Sequence, residues 1–178
     1  MKLKFARHVL SIALLPFTVA LLVPLWLARD NKISPGIGAT VPQVFAQVVG
    51  VLLLIVGLIL FSTSLGKFVT EGEGTLAPWD PPRRLVIRGP YRYVRNPMIS
   101  GVVFVLFGEA LVLLSRPHFV WGLIFLATNF IYIPLLEETG LRLRFGDSYV
   151  EYCRHVPRLI PRLRPWQPED RSGMESAS

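Results

Sequence analysis

Between Gly89 and Gly101 the chain reads GPYRYVRNPMISG, a stretch that sets cations, aromatic rings and an amide at the mouth of an apolar run. Arg92 and Arg95 are suited to a carboxylate, and Tyr91 and Tyr93 offer ring faces to a cation or a purine. Further along stand Glu137 and Glu138, carboxylates suited to an ammonium or a sulfonium, and then Tyr149 and Tyr152, one helical turn apart. Adjacent side chains on a helix point about 100° apart. One carboxylate of the pair can therefore face inward while the other meets water or an arginine. No single one of these signals is specific.

The elements that position these groups follow from local chemistry. Gly89-Pro90 sets a tight turn, because glycine accepts unusual backbone angles and proline fixes its own φ. Asn96-Pro97 reads as a helix start, with Asn96 as N-cap and Pro97 in the first turn, where a missing N–H costs nothing. Met98 to Leu114 is then almost wholly apolar apart from Glu109, which at ~1.5 Å per residue lies about 20 Å beyond Asn96. An intramembrane carboxyl is rare, and helix packing is the favoured reading for this one, ahead of a lipid-tail cavity.

Composition explains why membrane is the frame. Of 178 residues, 52% are hydrophobic and 17% charged, with the apolar ones in blocks. Val9–Leu27, Val44–Leu65, Ile99–Leu114 and Phe119–Leu136 each approach the ~20 residues that cross a bilayer. The expected fold is all-α: a polytopic membrane protein of about four transmembrane helices, with a cytoplasmic re-entrant or interfacial loop and a C-terminal amphipathic helix. Val9–Leu27 is too long for a signal-peptide core and no clean cleavage site follows, so it reads as a retained span. With four spans, 16 of the 19 basic residues fall on one side, leaving only Arg29, Lys32 and Arg116 on the other. The positive-inside rule then puts both termini and the Gly89 stretch in the cytoplasm, as in a multi-pass protein of a bacterial inner membrane. The net charge of +7 is spent on topology and on anionic headgroups, so no nucleic-acid partner is expected. Cys153 is the single cysteine, and His8, His118 and His155 are scattered without ligand spacing, so no metal site is expected.

Three units follow: residues 1–66 as an N-terminal transmembrane hairpin, 67–165 as the core, and 166–178 as a polar tail. In the hairpin, Pro16 and Pro24 predict kinks, and Gly50 with Gly57 predict one face of close helix contact. Gln43 and Gln47 read as hydrogen-bonding interfacial residues. The long segment from Gly66 to Met98 carries apolar anchors at Leu76, Trp79, Leu85, Val86, Ile87 and Tyr91, so it reads as ordered. Ser115-Arg116-Pro117-His118 closes a hairpin, with His118 at the outer interface. That turn makes the third and fourth spans antiparallel neighbours, which brings the Asn96 end close to the Glu137 end. Gly146 and Asp147 predict a helix break, and Val156–Arg162, with Pro157 and Pro161, cannot be helical.

There is no Gly-rich nucleotide loop, Walker sequence or nucleophile elbow. The combination that is present, GPYRYVRNPM, then EE, then L-x-x-x-F-G-x-x-Y-x-x-Y and V-P-R-x-I-P, resembles the integral membrane methyltransferases of the isoprenylcysteine carboxyl methyltransferase and phospholipid N-methyltransferase type. The resemblance covers about Thr75 to Arg162, roughly half of the chain. It implies S-adenosylmethionine as methyl donor and a lipid or lipid-linked acceptor, a prenylcysteine-type carboxylate or a phospholipid-type amine, entering from the bilayer. It also implies Tyr91, Tyr93, Arg95, Asn96, Pro97, Gly101, Glu137, Glu138, Tyr149 and Tyr152 as the donor site, with Arg95, Glu137 and Glu138 as the catalytic groups. Two positions depart from the family pattern: Asn96 stands where His is frequent, and Ile99 where Tyr is. The rival classes are a non-catalytic protein that keeps the fold and an oxidoreductase of the sterol-reductase kind.

Overall fold

The computed structural model describes residues 13–33, 36–71 and 84–167. The expectations for His8 and the start of the first span, for Leu76, Trp79 and the glycines and prolines from Gly72 to Pro82, and for the tail beyond Gln167 lie outside those residues. Among the described residues every regular element is helical. A π-helix, Ala13–Leu22, leads into α1 (Val23–Asp30). Next come α2 (Val41–Glu71), a 3-10 turn at Gly89–Arg92, and α3 (Pro97–Val112). The chain then forms α4 (Arg116–Tyr132), a π-helical turn (Ile133–Glu137) and α5 (Glu138–His155).

Two helical runs are long and apolar enough to cross a membrane: α2, and the continuous run from Arg116 to His155. Along α2, Phe45, Val48, Leu52, Ile55 and Ile59 are all exposed, a face that acyl chains would solvate at no hydrophobic cost. The opposite face packs antiparallel on α3 through two pairs of glycines. A Cβ on Gly57 would stand 2.7 Å from the Gly101 carbonyl oxygen, and one on Gly50 would stand 2.9 Å from that of Gly108. No side chain fits at these distances, so the expected role of Gly50 and Gly57 is found, with Gly101 and Gly108 as their partners. Gln47 ties the N-terminal part of α2 to the end of α3: its amide donates to the carbonyls of Gly36 at 2.6 Å and Val112 at 2.9 Å.

His118 departs from its expected place. It is 2% exposed, with Ser115 Oγ at 2.6 Å from one ring nitrogen and the Pro24 carbonyl at 3.1 Å from the other. Proline explains a second tie close by. Pro24 has no N–H to give the carbonyl five residues back in a π-helix, and that carbonyl, Val19, takes Trp121 Nε1 at 3.0 Å instead. The N-terminal helix is thus held to α4 through backbone oxygens.

The helix of the expected fourth span runs on past Leu136. The π turn around Pro134 widens the helix and absorbs the missing N–H, so the backbone runs on into α5. The predicted break is present as a kink within α5, where Gly146 adopts φ 52° and ψ −132°. Asn96 does occupy the N-cap position of α3, yet its side chain makes no cap. It turns instead toward the Arg158 carbonyl, 3.4 Å away. Because α3 ends at Val112, Glu109 sits one turn from the C-terminal end of its helix.

Candidate functional site

The site is built where the 3-10 turn, the start of α3 and the start of α5 meet. Gly89, at φ 56°, lets the chain turn into Pro90, and the turn delivers Tyr91 inward at 7% exposure. The preceding extended residues alternate between two clusters. Val86 packs with Phe68 and Tyr91, whereas Leu85 and Ile87 pack against Tyr149, Tyr152 and Val156. Tyr152 then closes the two clusters on each other by donating its hydroxyl to the Tyr91 carbonyl at 2.6 Å.

Beside this apolar seam lies an ion cluster. Arg158 Nε and Nη2 reach the two oxygens of Glu138 at 2.8 and 3.0 Å, a bidentate pair. Arg95 Nη1 meets the same carboxylate at 2.8 Å and also donates to Cys153 Sγ at 2.8 Å. Burial alone would raise the Glu138 carboxyl. The bidentate hydrogen bond from Arg158 and the charges of Arg95, Arg158 and Arg142 outweigh it, and the group is held below the ordinary carboxylate value. Its neighbour goes the other way. Glu137, just past the apolar run that ends at Leu136, is pushed up to about 7 by burial and then by the adjacent Glu138. The pair therefore splits as its helical geometry suggests, one carboxylate against arginines and the other toward a cavity.

That cavity has a volume of about 670 Å³ and two unlike ends. One end is walled by Tyr91, Arg95, Asn96, Glu137, Arg144, Tyr149 and Tyr152. The other reaches between the membrane helices to Val19, Phe61, Val102, Phe125 and Asn129. Its size falls within the ~300–1,000 Å³ typical of small-molecule sites. Two residues of its wall each bury a polar atom that has no hydrogen-bond partner among the described residues: Tyr91 its hydroxyl and Arg95 its Nε. Burial drives the Tyr91 hydroxyl far above its ordinary pKa, so it stands ready as a neutral donor.

Of the residues singled out in the sequence, Tyr91, Arg95, Asn96, Pro97, Glu137, Tyr149 and Tyr152 line this one cavity. Three do not. Glu138 is 2% exposed and engaged by two arginines, so it lies away from an aqueous boundary and holds Arg95 in place. Gly101 packs against Gly57 of α2. Tyr93 lies half-exposed outside the cavity, its carbonyl taken by Arg162 N at 3.0 Å. Ile99 lines the wall as an apolar residue. Sequence reasoning missed Arg158, Cys153 and Asn129. Arg158 stood inside V-P-R-x-I-P, where two prolines force an extended backbone that can turn back on the site. Asn129 was the one amide in an otherwise apolar span.

The residues present fit an adenosyl sulfonium donor: rings and a raised carboxyl at one end, a guanidinium and an unpartnered hydroxyl beside them. Over 74 residues the chain is 36% identical to methanethiol S-methyltransferase 2 of Bradyrhizobium diazoefficiens, a match covering 41% of this chain and 27% of that relative. The matched stretch is thus little over a quarter of the relative's length. No solved structure matches. Residues 45–148 match the phospholipid methyltransferase family, a region that holds α2, α3, α4 and most of the cavity wall. By that match, which spans more than half of its length, the chain belongs to the phospholipid methyltransferase family.

Proposed function

We propose that this protein is an S-adenosylmethionine-dependent methyltransferase whose acceptor is a lipid or lipid-linked molecule that reaches the cavity from the bilayer. The observation that carries the reading is the Tyr91 hydroxyl, buried in the cavity wall with no partner among the described residues. A buried hydroxyl left unpaired costs about 1–3 kcal/mol, which a ligand oxygen or nitrogen would return. S-adenosylmethionine supplies a methyl group already activated by its sulfonium. The chain's task is to hold donor and acceptor in line, and positioning of this kind supplies much of the rate. Tyr149 and Tyr152 present aromatic surface at the polar end, Arg95 presents a cation for a carboxylate, and the apolar end takes an acyl or prenyl chain.

Glu137 bears on the acceptor. A carboxylate acceptor needs no base, but an ammonium must lose a proton before it has a lone pair to donate. A carboxylate raised to about 7, as Glu137 is, accepts that proton more readily than an ordinary one. This favours an amine of the phospholipid type, and it serves a thiol equally well. The name of the Bradyrhizobium relative makes a small thiol the second reading. The proposed topology is four spans with both termini and the polar end of the cavity in the cytoplasm, resting on the basic-residue asymmetry.

The test is direct. Purified protein in detergent is titrated with radiolabelled S-adenosylmethionine, then offered phosphatidylethanolamine, a farnesylcysteine analogue and a short alkanethiol. Saturable donor binding and label transfer to one of the three is the expected result. No donor binding by folded protein would overturn the proposal. Reporter fusions after Lys32, Arg116 and Arg164 check the topology, the first two on the outer side and the third on the inner.

A further inference from the structure

The segment after α5 does more than end the chain. From Val156 to Trp166 it runs back across the start of α3, held by backbone bonds. Arg95 N donates to the Pro157 carbonyl at 2.8 Å and Asn96 N to that of Arg158 at 3.2 Å. Arg162 N donates to Tyr93 O at 3.0 Å, and Trp166 N to Arg92 O at 2.9 Å. Ser100 Oγ donates to the Leu159 carbonyl at 2.9 Å, which sets Leu159 and Ile160 level with the first turns of α3. That is where the apolar helix begins. At this level Ile160 is 81% exposed; Leu163, farther along beside the Tyr93 backbone, is 99% exposed, with Arg162 and the exposed Arg164 flanking it. Large aliphatic side chains held out by a firmly bonded backbone are not explained by packing within the chain.

We infer that this strap docks on an anionic bilayer surface, with Ile160 and Leu163 entering the acyl boundary and Arg162 and Arg164 meeting headgroup phosphates. The inference rests on α3 entering the membrane at Pro97, but not on the methyl-transfer reading. Aliphatic and guanidinium groups in alternation suit that surface, because the apolar area is buried while the charges find phosphate oxygens. A second copy of the chain is a poorer fit, since each carries a net charge of +7 and like-charged surfaces repel. Docking would reach the cavity. The strap holds the backbone of Arg95 and Asn96, and Arg158 within it holds Glu138, so a bilayer that anchors the strap also steadies the cavity wall.

Limited trypsin digestion reads this directly, because the Arg158–Leu159 and Arg162–Leu163 bonds are both cleavable sequences. The full chain is digested in uncharged detergent micelles, in phosphatidylcholine nanodiscs, and in nanodiscs that also contain phosphatidylglycerol. Cleavage within the strap should be slowest in the anionic discs, by about fivefold or more relative to micelles. The double variant Ile160→Ser/Leu163→Ser should lose that protection while unfolding at the same temperature, since both side chains are exposed. Leu163→Ser alone, at the more exposed of the two positions, should show the same trend. Equal cleavage in all three settings, or full protection of the double variant, would overturn the inference. So would protection in micelles that rises with protein concentration, which would indicate a second copy as the partner. Donor binding is measured in parallel: a chain that binds no donor yet shows the lipid-dependent protection keeps the docking and loses the proposed activity.

Discussion

The Arg95 guanidinium meets the buried Glu138 carboxylate at 2.8 Å, and it does so from the wall of the cavity. We propose Glu138 as a positioning residue, since its carboxylate is shared between Arg95 and the strap's Arg158. Removing one partner of a buried pair costs about 3–5 kcal/mol when a charge is left uncompensated. Glu138→Gln keeps an acceptor oxygen but not the charge, so we expect donor affinity to fall about tenfold or more, with a lower thermal midpoint. The pH dependence has a definite sign. A carboxyl whose folded pKa is depressed contributes stability above its ordinary value of ~4.3 and loses it as pH falls through the folded value. Wild-type unfolding in detergent should carry this acid step, and Glu138→Gln should not. An unchanged acid midpoint in the variant would remove Glu138 from this role.

Tyr91→Phe separates ligand from fold. The lost hydroxyl has no partner among the described residues, so its removal should leave the thermal midpoint unchanged or slightly raised. Donor or acceptor binding should weaken about threefold to tenfold, in keeping with one hydrogen bond of ~1 kcal/mol. A variant that binds both as well as wild type would mean the hydroxyl faces no ligand.

Gly101→Ala addresses a residue that the family resemblance assigned to the donor. A Cβ there would lie 2.9 Å from both the Gly57 carbonyl oxygen and Phe61 N, backbone atoms that cannot step aside cheaply. We expect a loss of about 1–3 kcal/mol in stability. Donor affinity per folded molecule should be untouched, and isothermal titration against the folded fraction measures it.

Glu109→Gln should leave turnover and its pH profile as they are. The residue does not line the cavity, and it sits one turn from the C-terminal end of α3. One of its carboxylate oxygens is buried without a partner among the described residues, so an amide of the same shape should fold at least as well. A large fall in turnover with donor binding intact would make Glu109 part of the acceptor chemistry.

What the sequence made legible was whatever depends on near neighbours. Gly89-Pro90, the start of α3 at Pro97 and the kink at Gly146 all follow from backbone angles that few residues accept. The glycines of α2 were readable too, because close helix contact demands small residues at fixed spacing. Contacts that depend on an orphaned partner far away were not. The burial of His118 turns on a carbonyl of Pro24, and the tie of Trp121 on one freed by a π-helix that nothing local announces. Asn96 looked like a cap, yet a returning strap offered its amide a different acceptor. The fate of Glu138 depended on Arg158, which only the folded chain brings near.

From Arg116 to the bend at Gly146 the backbone runs without a loop, so the apolar stretch and the polar turn after it form one shaft. At ~1.5 Å per residue the thirty residues before that bend span about 45 Å, half as long again as the ~30 Å of a bilayer's hydrocarbon. A tilt or roll of its apolar half would be handed on to Glu137, because the wide helical turn at Ile133–Glu137 leaves the run unbroken. Adding or removing one residue there would swing both carboxylates by about 100°. Tyr149 and Tyr152 lie past the bend at Gly146, and Tyr152 is moored to the Tyr91 carbonyl instead. Glu137 thus takes its bearing from the helix, and Glu138 and Tyr152 from the strap and the loop.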